Sequence, residues 1–160
     1  MAKPSSGTPA TVALVRAGIP FTPHSYRHDP SVTSFGIEAA RELGVDPARV
    51  FKTLLADADG RLVVGVVPVA GHLDLKALAA AAGAKRAALA DPAIAQRRTG
   101  YVVGGISPIG QKTPLMTVLD ASASAFETVY VSGGRRGLDL ELAPADLLRI
   151  TDGTLAPIAR

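Results

Sequence analysis

The spacing of apolar residues changes several times along this chain, and each change marks an element. Thr8-Pro9 reads as an N-cap followed by proline in a first helical turn, with Val12, Leu14, Val15 and Ala17 on an apolar face and Gly18 as the stop. Residues 21–29 look extended, and Pro20 and Pro23 push that segment to a sheet edge. Period two puts His24, Tyr26 and His28 on one of its faces and Ser25, Arg27 and Asp29 on the other. Ser34 can cap a helix that runs to Leu43 and ends at Gly44, and Asp46-Pro47 opens a short turn. Two apolar strands, 50–57 and 61–69, flank Asp57-Ala-Asp-Gly60, a hairpin signal. Further on, Asp74 can cap a helix ending at Gly83, 85–90 reads as a short strand, and Asp91-Pro92 starts a helix ending near Arg98.

The segment 99–113 has no clear period and carries Gly100, Gly104, Gly105 and Gly110; it is a loop with room for a strand through 101–103. Strands follow at 115–119, 128–132 and 138–142. The last alternates, which puts Leu138, Leu140 and Leu142 inward and Asp139 and Glu141 outward. A helix over 144–150 closes the chain. Helices mixed with several antiparallel strands predict an α+β domain around a mixed sheet, occupying residues 8–160 behind a flexible N-terminus, 1–7.

Composition narrows the chemistry. A hydrophobic fraction of 48% over 160 residues supports one sizeable core, and three Tyr, four Phe and no Trp mean that it is built of Val, Leu, Ile and Ala. The absence of cysteine excludes disulfides, thiolate zinc sites and a protein-borne thiol nucleophile. The N-terminus lacks the apolar stretch of a signal peptide, and the longest apolar runs, 62–70 and 77–84, are too short to span a bilayer, so a soluble, cytoplasmic protein is expected. A net charge of +3 permits a polyanionic partner without demanding one.

Four features could carry chemistry. Lys52 stands in mid-strand among apolar residues, sharing a face with Leu54 and Ala56, while Phe51, Thr53 and Leu55 share the other. It either guards a sheet edge or lines a pocket, where its ammonium would bind a phosphate or a terminal ribose as a point charge. Gly104-Gly105 either forms a plain turn or lets a ligand reach backbone N–H donors. Ser132-Gly-Gly-Arg-Arg-Gly137 is either a solvated hairpin or a phosphate clamp. His24 and His28 share a face but lack a third ligand of the usual type nearby, so no metal is expected. Two motifs are absent. Gly105-x4-Gly110 is followed by Gln111 rather than lysine, which rejects a P-loop, and no Gly-x-Ser-x-Gly elbow occurs.

In order along the chain, Tyr26-Arg-His-Asp, Phe35-Gly-Ile-Glu-Ala-Ala, Val50-Phe-Lys-Thr-Leu, Leu73-Asp-Leu-Lys, Thr99-Gly-Tyr-Val-Val-Gly-Gly-Ile-Ser-Pro-Ile-Gly-Gln-Lys and Val131-Ser-Gly-Gly-Arg-Arg-Gly-Leu-Asp139 resemble the YbaK family. These are Cys-tRNA(Pro) deacylases related to the editing domain of bacterial prolyl-tRNA synthetases. Each motif is weak; six in order at matching spacing, from about Thr8 to the C-terminus, are specific. Arg135 replaces a family lysine and keeps the charge.

The resemblance implies a mixed, strongly curved sheet flanked by helices and a cofactor-free deacylase (a hydrolase or lyase). It implies a catalytic site of Lys52, Gly104 and Gly105, with Tyr26, Phe35, Thr53, Ser107, Ser132, Arg135 and Asp139 binding substrate. Lys52 would hold the terminal adenosine, and the two glycine N–H groups would hold the ester carbonyl. The implied partners are aminoacylated tRNA(Pro) and, transiently, prolyl-tRNA synthetase, with neither membrane nor DNA. Cleavage would use the substrate's own thiol. A sibling enzyme clearing alanine with water, or a tRNA- or synthetase-binding module without turnover, are the other readings.

Overall fold

A computed structural model describes residues 7–160; most of the expected N-terminal tail, residues 1–6, lies outside the described residues. The order is α1 (Pro9–Ala17), β1 (Thr22–Ser25), α2 (Phe35–Leu43), β2 (Phe51–Ala58), β3 (Arg61–Pro68), α3 (Leu75–Ala81), β4 (Ala87–Leu89), α4 (Pro92–Thr99), β5 (Met116–Asp120), a 3-10 turn (Ala121–Ala125), β6 (Val129–Arg135), β7 (Leu138–Leu142), α5 (Pro144–Thr151) and β8 (Thr154–Ala156).

Local chemistry sets the boundaries. The Thr8 hydroxyl accepts from the Thr11 N–H and the Thr11 hydroxyl from the Thr8 N–H, a reciprocal cap that starts α1, and Gly18 ends it in the left-handed region. Asp74 and Asp91 cap α3 and α4 through the N–H groups of Ala77 and Ala93. α2 approaches the end of β3 closely because residue 36 is glycine: a Cβ there would stand 2.2 Å from Val69 Cγ1.

The strands form two sheets. β4-β2-β3-β5-β8 is mixed: β2 pairs antiparallel with β3 and β4, and β5 runs parallel to β3 and β8. β1-β7-β6 is antiparallel, with the proline-bearing β1 at its edge as expected. A parallel bridge between Val50 and Tyr130 joins them. The main core, including Leu14, Phe51, Leu55, Val64, Val131, Leu140 and Leu147, lies on one side of β2; a second, with Ala56, Val63, Val67 and Leu78, lies under α3.

Three expectations need correction. Residues 101–103 form no strand; they lead into a turn over 102–105, closed by Gly105 N–H on Val102 O at 2.8 Å. β8 was not expected from the sequence; it is three residues long and partly exposed, with no alternation to betray it. Asp139 does point away from the Leu138–Leu140–Leu142 core, but it is only 5% exposed. The polar face of the small sheet is a wall of a cavity, not a surface.

Candidate active site

β4 pairs with β2 only at Ala56–Ala58, so the edge of β2 from Phe51 to Leu55 lacks a neighbouring strand. Leu55 O accepts from Ala90 N on that edge, whereas Val50 O accepts from Val69 N on the β3 side. Alternation therefore aims the N–H and C=O of Thr53 at the open edge. A cavity of about 580 Å³ occupies the gap between this edge and the small sheet. Tyr26, Lys52, Thr53, Ser132 and Asp139 contribute polar side chains to it, with Phe35, Ile37, Leu89, Val103, Gly104 and Ile106 around them.

Lys52 sits on the open edge of its sheet, and its Nζ donates to Gly71 O at 3.0 Å. No carboxylate pairs with it among the described residues, and partial burial lowers its pKa. An ammonium held by one carbonyl keeps N–H donors for a ligand. On the other face of the strand, Thr53 Oγ1 is buried without a hydrogen-bond partner among the described residues. A buried hydroxyl left unsatisfied costs about 1–3 kcal/mol, so it marks a place where a ligand can complete the bonding. Burial pushes the Asp139 carboxyl up to about 7. Burial, then the neighbouring Asp139 charge, pushes the Tyr26 phenol up to about 12. Near neutrality the cavity thus holds a neutral phenol, a carboxyl poised between its two forms and the Lys52 ammonium.

Phe35 opens α2 and forms part of the cavity wall. Its ring lies 5.7 Å from the His28 ring and 4.8 Å under the Arg136 guanidinium. Gly104 lies against it at φ 88°; a Cβ there would stand 2.8 Å from the ring. His28 Nδ1 meets Glu38 Oε1 at 2.7 Å, and Glu38 Oε2 accepts from the Asp29 N–H at 2.9 Å. Glu38 is 2% exposed. Burial works to raise its pKa, but the Asp29 N–H and His28 hold it below the ordinary carboxylate value. His24 is engaged elsewhere: Nε2 meets Glu141 Oε1 at 2.9 Å, in a cluster with Arg49, Thr128 and Tyr130. The shared face of the two histidines is real, and each has its own carboxylate.

Among the residues singled out from the sequence, Tyr26, Phe35, Lys52, Thr53, Gly104, Ser132 and Asp139 line the cavity; Gly105, Ser107 and Arg135 do not. The Gly105 N–H is engaged with Val102 O, so of the two glycine donors only that of Gly104 is without a backbone partner among the described residues. Ser107 is fully buried; its Oγ accepts from Ile109 N and its carbonyl from Gln111 Nε2, which holds the loop together. Arg135 projects outward, and its neighbour Arg136 reaches the site, bonding Val103 O at 2.9 and 2.7 Å through Nε and one terminal nitrogen. A register shift lies between Ser132 and Arg135, and of the two arginines it is Arg136 that contacts the cavity residues Val103 and Phe35. The adjacent arginines are a sequence signal for the pair but not for the choice. The His28–Glu38 support had a weaker signal, a histidine and a glutamate ten residues apart.

Known proteins share both the sequence and the fold. The chain is 40% identical over 120 residues to the Enterococcus faecalis protein EbsC, assigned as a Cys-tRNA(Pro)/Cys-tRNA(Cys) deacylase; the match covers 74% of this chain and 73% of EbsC. It is 33% identical over 104 residues to a proline–tRNA ligase of Moorella thermoacetica, covering 58% of this chain and 18% of the ligase. Two crystal structures share the fold. A hypothetical protein, APE2540, superposes with a TM-score of 0.86 at 26% identity, covering 96% of this chain and 100% of that one. A protein assigned as a trans-editing enzyme for prolyl tRNA synthetase superposes with a TM-score of 0.82 at 24% identity, covering 100% and 99%. The sequence pattern of the aminoacyl-tRNA editing domain matches residues 29–150, and the chain belongs to that family.

Proposed function

We propose that residues 8–160 act as one editing domain that deacylates mischarged tRNA in trans, with cysteine on tRNA(Pro) as the principal substrate. The observation that carries this reading is the cavity on the open edge of β2, a space of about 580 Å³ lined both by Lys52 and by Thr53, whose hydroxyl has no partner among the described residues, from the two faces of the strand. That space takes a terminal nucleoside with a small amino acid. The 40% identity to EbsC supports the substrate. The match to 18% of a proline–tRNA ligase, a much longer protein, supports a transient partnership with prolyl-tRNA synthetase.

An aminoacyl ester is already activated, so positioning and a donor for the carbonyl oxygen supply much of the rate. Lys52 holds the terminal adenosine. The Gly104 N–H reaches the ester carbonyl, and Phe35 closes over the amino acid. The chain has no thiol, and the cysteine substrate brings one. Its sulfur forms a bond to its own carbonyl carbon, the C–O bond to the 3′ oxygen breaks, the thiol proton ends on that oxygen, and a thiolactone leaves. A specific observation favours a second reading, in which water clears alanine: Asp139 is buried in the cavity wall, and burial pushes its carboxyl up to about 7, a value suited to taking a proton from water.

The test is release of labelled amino acid from Cys-tRNA(Pro) and Ala-tRNA(Pro) by the native protein, Lys52→Ala and Asp139→Asn. Rapid loss of cysteine alone that requires Lys52 and survives in Asp139→Asn fits the substrate-thiol route. Loss of alanine that requires Asp139 fits the water route. Full activity of Lys52→Ala overturns both.

A further inference from the structure

The chain's positive charge is unevenly placed. No Asp or Glu occurs between Asp91 and Asp120, a stretch that carries Arg97, Arg98 and Lys112, and none occurs between Glu127 and Asp139, where Arg135 and Arg136 lie. These two stretches hold five of the 17 Lys and Arg residues and none of the 14 Asp and Glu. The rest of the chain therefore has 12 basic against 14 acidic residues, so the excess of positive charge comes wholly from these two stretches.

The fold joins the two stretches. Arg97 and Arg98 end α4, and the chain carrying Lys112 is bonded to it, Lys112 N to Thr99 O at 2.9 Å and Thr113 N to Arg98 O at 3.1 Å. Gln96 Oε1 accepts from Val103 N at 2.9 Å, which ties α4 to the glycine turn. Arg136 bonds Val103 O from the other side, and Gly105 lies so close to the Arg135 backbone that a Cβ would stand 2.8 Å from its Cα. All five cationic side chains belong to exposed residues, and none has a carboxylate within ion-pairing distance among the described residues. The favourable field at a helix C-terminus accounts for Arg97 and Arg98 on α4 but not for Lys112, Arg135 or the absence of acids. α4 and the glycine turn also contribute Pro92, Ala95, Val103 and Gly104 to the cavity wall, so the elements that carry this basic ridge also build one side of the cavity.

We infer that this ridge, Arg97, Arg98, Lys112, Arg135 and Arg136, is the docking surface for the phosphodiester backbone behind the aminoacylated 3′ end, on the acceptor arm of the tRNA. The inference rests on the deacylase reading for the identity of the polyanion, while the ridge itself is read from charge and geometry. A chain whose terminal nucleoside is in the cavity must leave through the mouth, and the hydrogen-bonded unit that builds one wall of the cavity carries cations with no carboxylate partner among the described residues. Unpaired exposed cations bind phosphates by releasing condensed counterions, so binding is salt-dependent and sequence-independent.

The triple variant Arg97→Ala, Arg98→Ala, Lys112→Ala tests this, since all three residues are exposed and none lines the cavity. The control is Arg16→Ala, Arg41→Ala, Arg149→Ala, which removes the same charge from exposed sites elsewhere. Binding of a fluorescent acceptor-arm RNA hairpin ending in CCA is followed by anisotropy against salt. The ridge variant is expected to bind at least tenfold more weakly, with a salt slope shallower by about one for each phosphate it no longer neutralises, while the control binds like the native protein. Equal weakening in both triples, or in neither, overturns the ridge. Turnover provides the separation from the deacylase reading: the ridge variant should lose kcat/KM on aminoacyl-tRNA but retain it on aminoacyl-adenosine. Ridge-dependent RNA binding with no turnover of either substrate by the native protein would overturn the deacylase reading and leave the ridge standing.

Discussion

Thr53 separates stability from function more cleanly than any other side chain in the cavity. Its hydroxyl is buried with no partner among the described residues, so Thr53→Val removes a polar group that costs the free fold stability. The variant should unfold at the same or slightly higher denaturant concentration and deacylate about tenfold more slowly, the worth of one hydrogen bond to substrate. A loss of stability would show that the hydroxyl is bonded in the free protein. Lys52→Ala should cost about 100-fold in deacylation through lost positioning, with an unchanged circular dichroism spectrum. Lys52 was legible from the sequence because a lysine among apolar strand residues is anomalous on local pattern alone. Asp139 was legible only as the polar half of an alternation. Its burial depends on what stands opposite, and no local rule says that the far face of a sheet borders a cavity.

The N-terminal end of α2 is held by a buried carboxylate rather than by a conventional cap, since Ser34 makes no side-chain capping bond. Glu38 replaces it, clamping His28 and the Asp29 N–H and so fixing the connection that delivers Phe35 to the cavity. Removing the charge with Glu38→Gln should cost about 1–3 kcal/mol, measured by urea unfolding at pH 7. The sign with pH is determined: a carboxyl depressed in the folded protein contributes stability above its unfolded pKa, and that contribution is lost as pH falls through the folded value. The difference between Glu38→Gln and the native protein should therefore shrink in acid. A difference constant from about pH 7 down to about pH 3, a range that spans the ordinary carboxylate titration, would show that packing, not charge, holds α2. Helices with ordinary caps, such as α1 and α4, were placed from the sequence to within a residue or two. α2 was placed too, but with the wrong anchor, because a capping serine is a local signal and a buried carboxylate ten residues from its histidine is not.

The site exists because β2 belongs to the larger sheet, and the bridge that joins the two sheets lies just before it, between Val50 and Tyr130. The sequence pattern predicts every long strand but is silent on which edges stay unpaired, since pairing depends on loop paths; a single mixed sheet was the natural expectation, and it conceals the gap. An open strand edge is a liability that folds ordinarily cover. Here its cover is the glycine turn and α4 on one side and α2 on the other, with a cavity left between. The Thr53 amide faces that gap, while those of Lys52 and Leu54 face β3, so amide hydrogen exchange should distinguish them. In the free protein the Thr53 N–H should exchange faster than its two neighbours, because no strand partner protects it. A hydrolysis-resistant aminoacyl-adenosine analogue that completes the edge should slow Thr53 selectively, and in Lys52→Ala that protection should weaken, since the anchor for the adenosine is gone. If the analogue slowed exchange across all of β2 equally, binding would act by tightening the whole sheet. The open edge would then be a consequence of the two-sheet architecture rather than the surface on which the substrate is read.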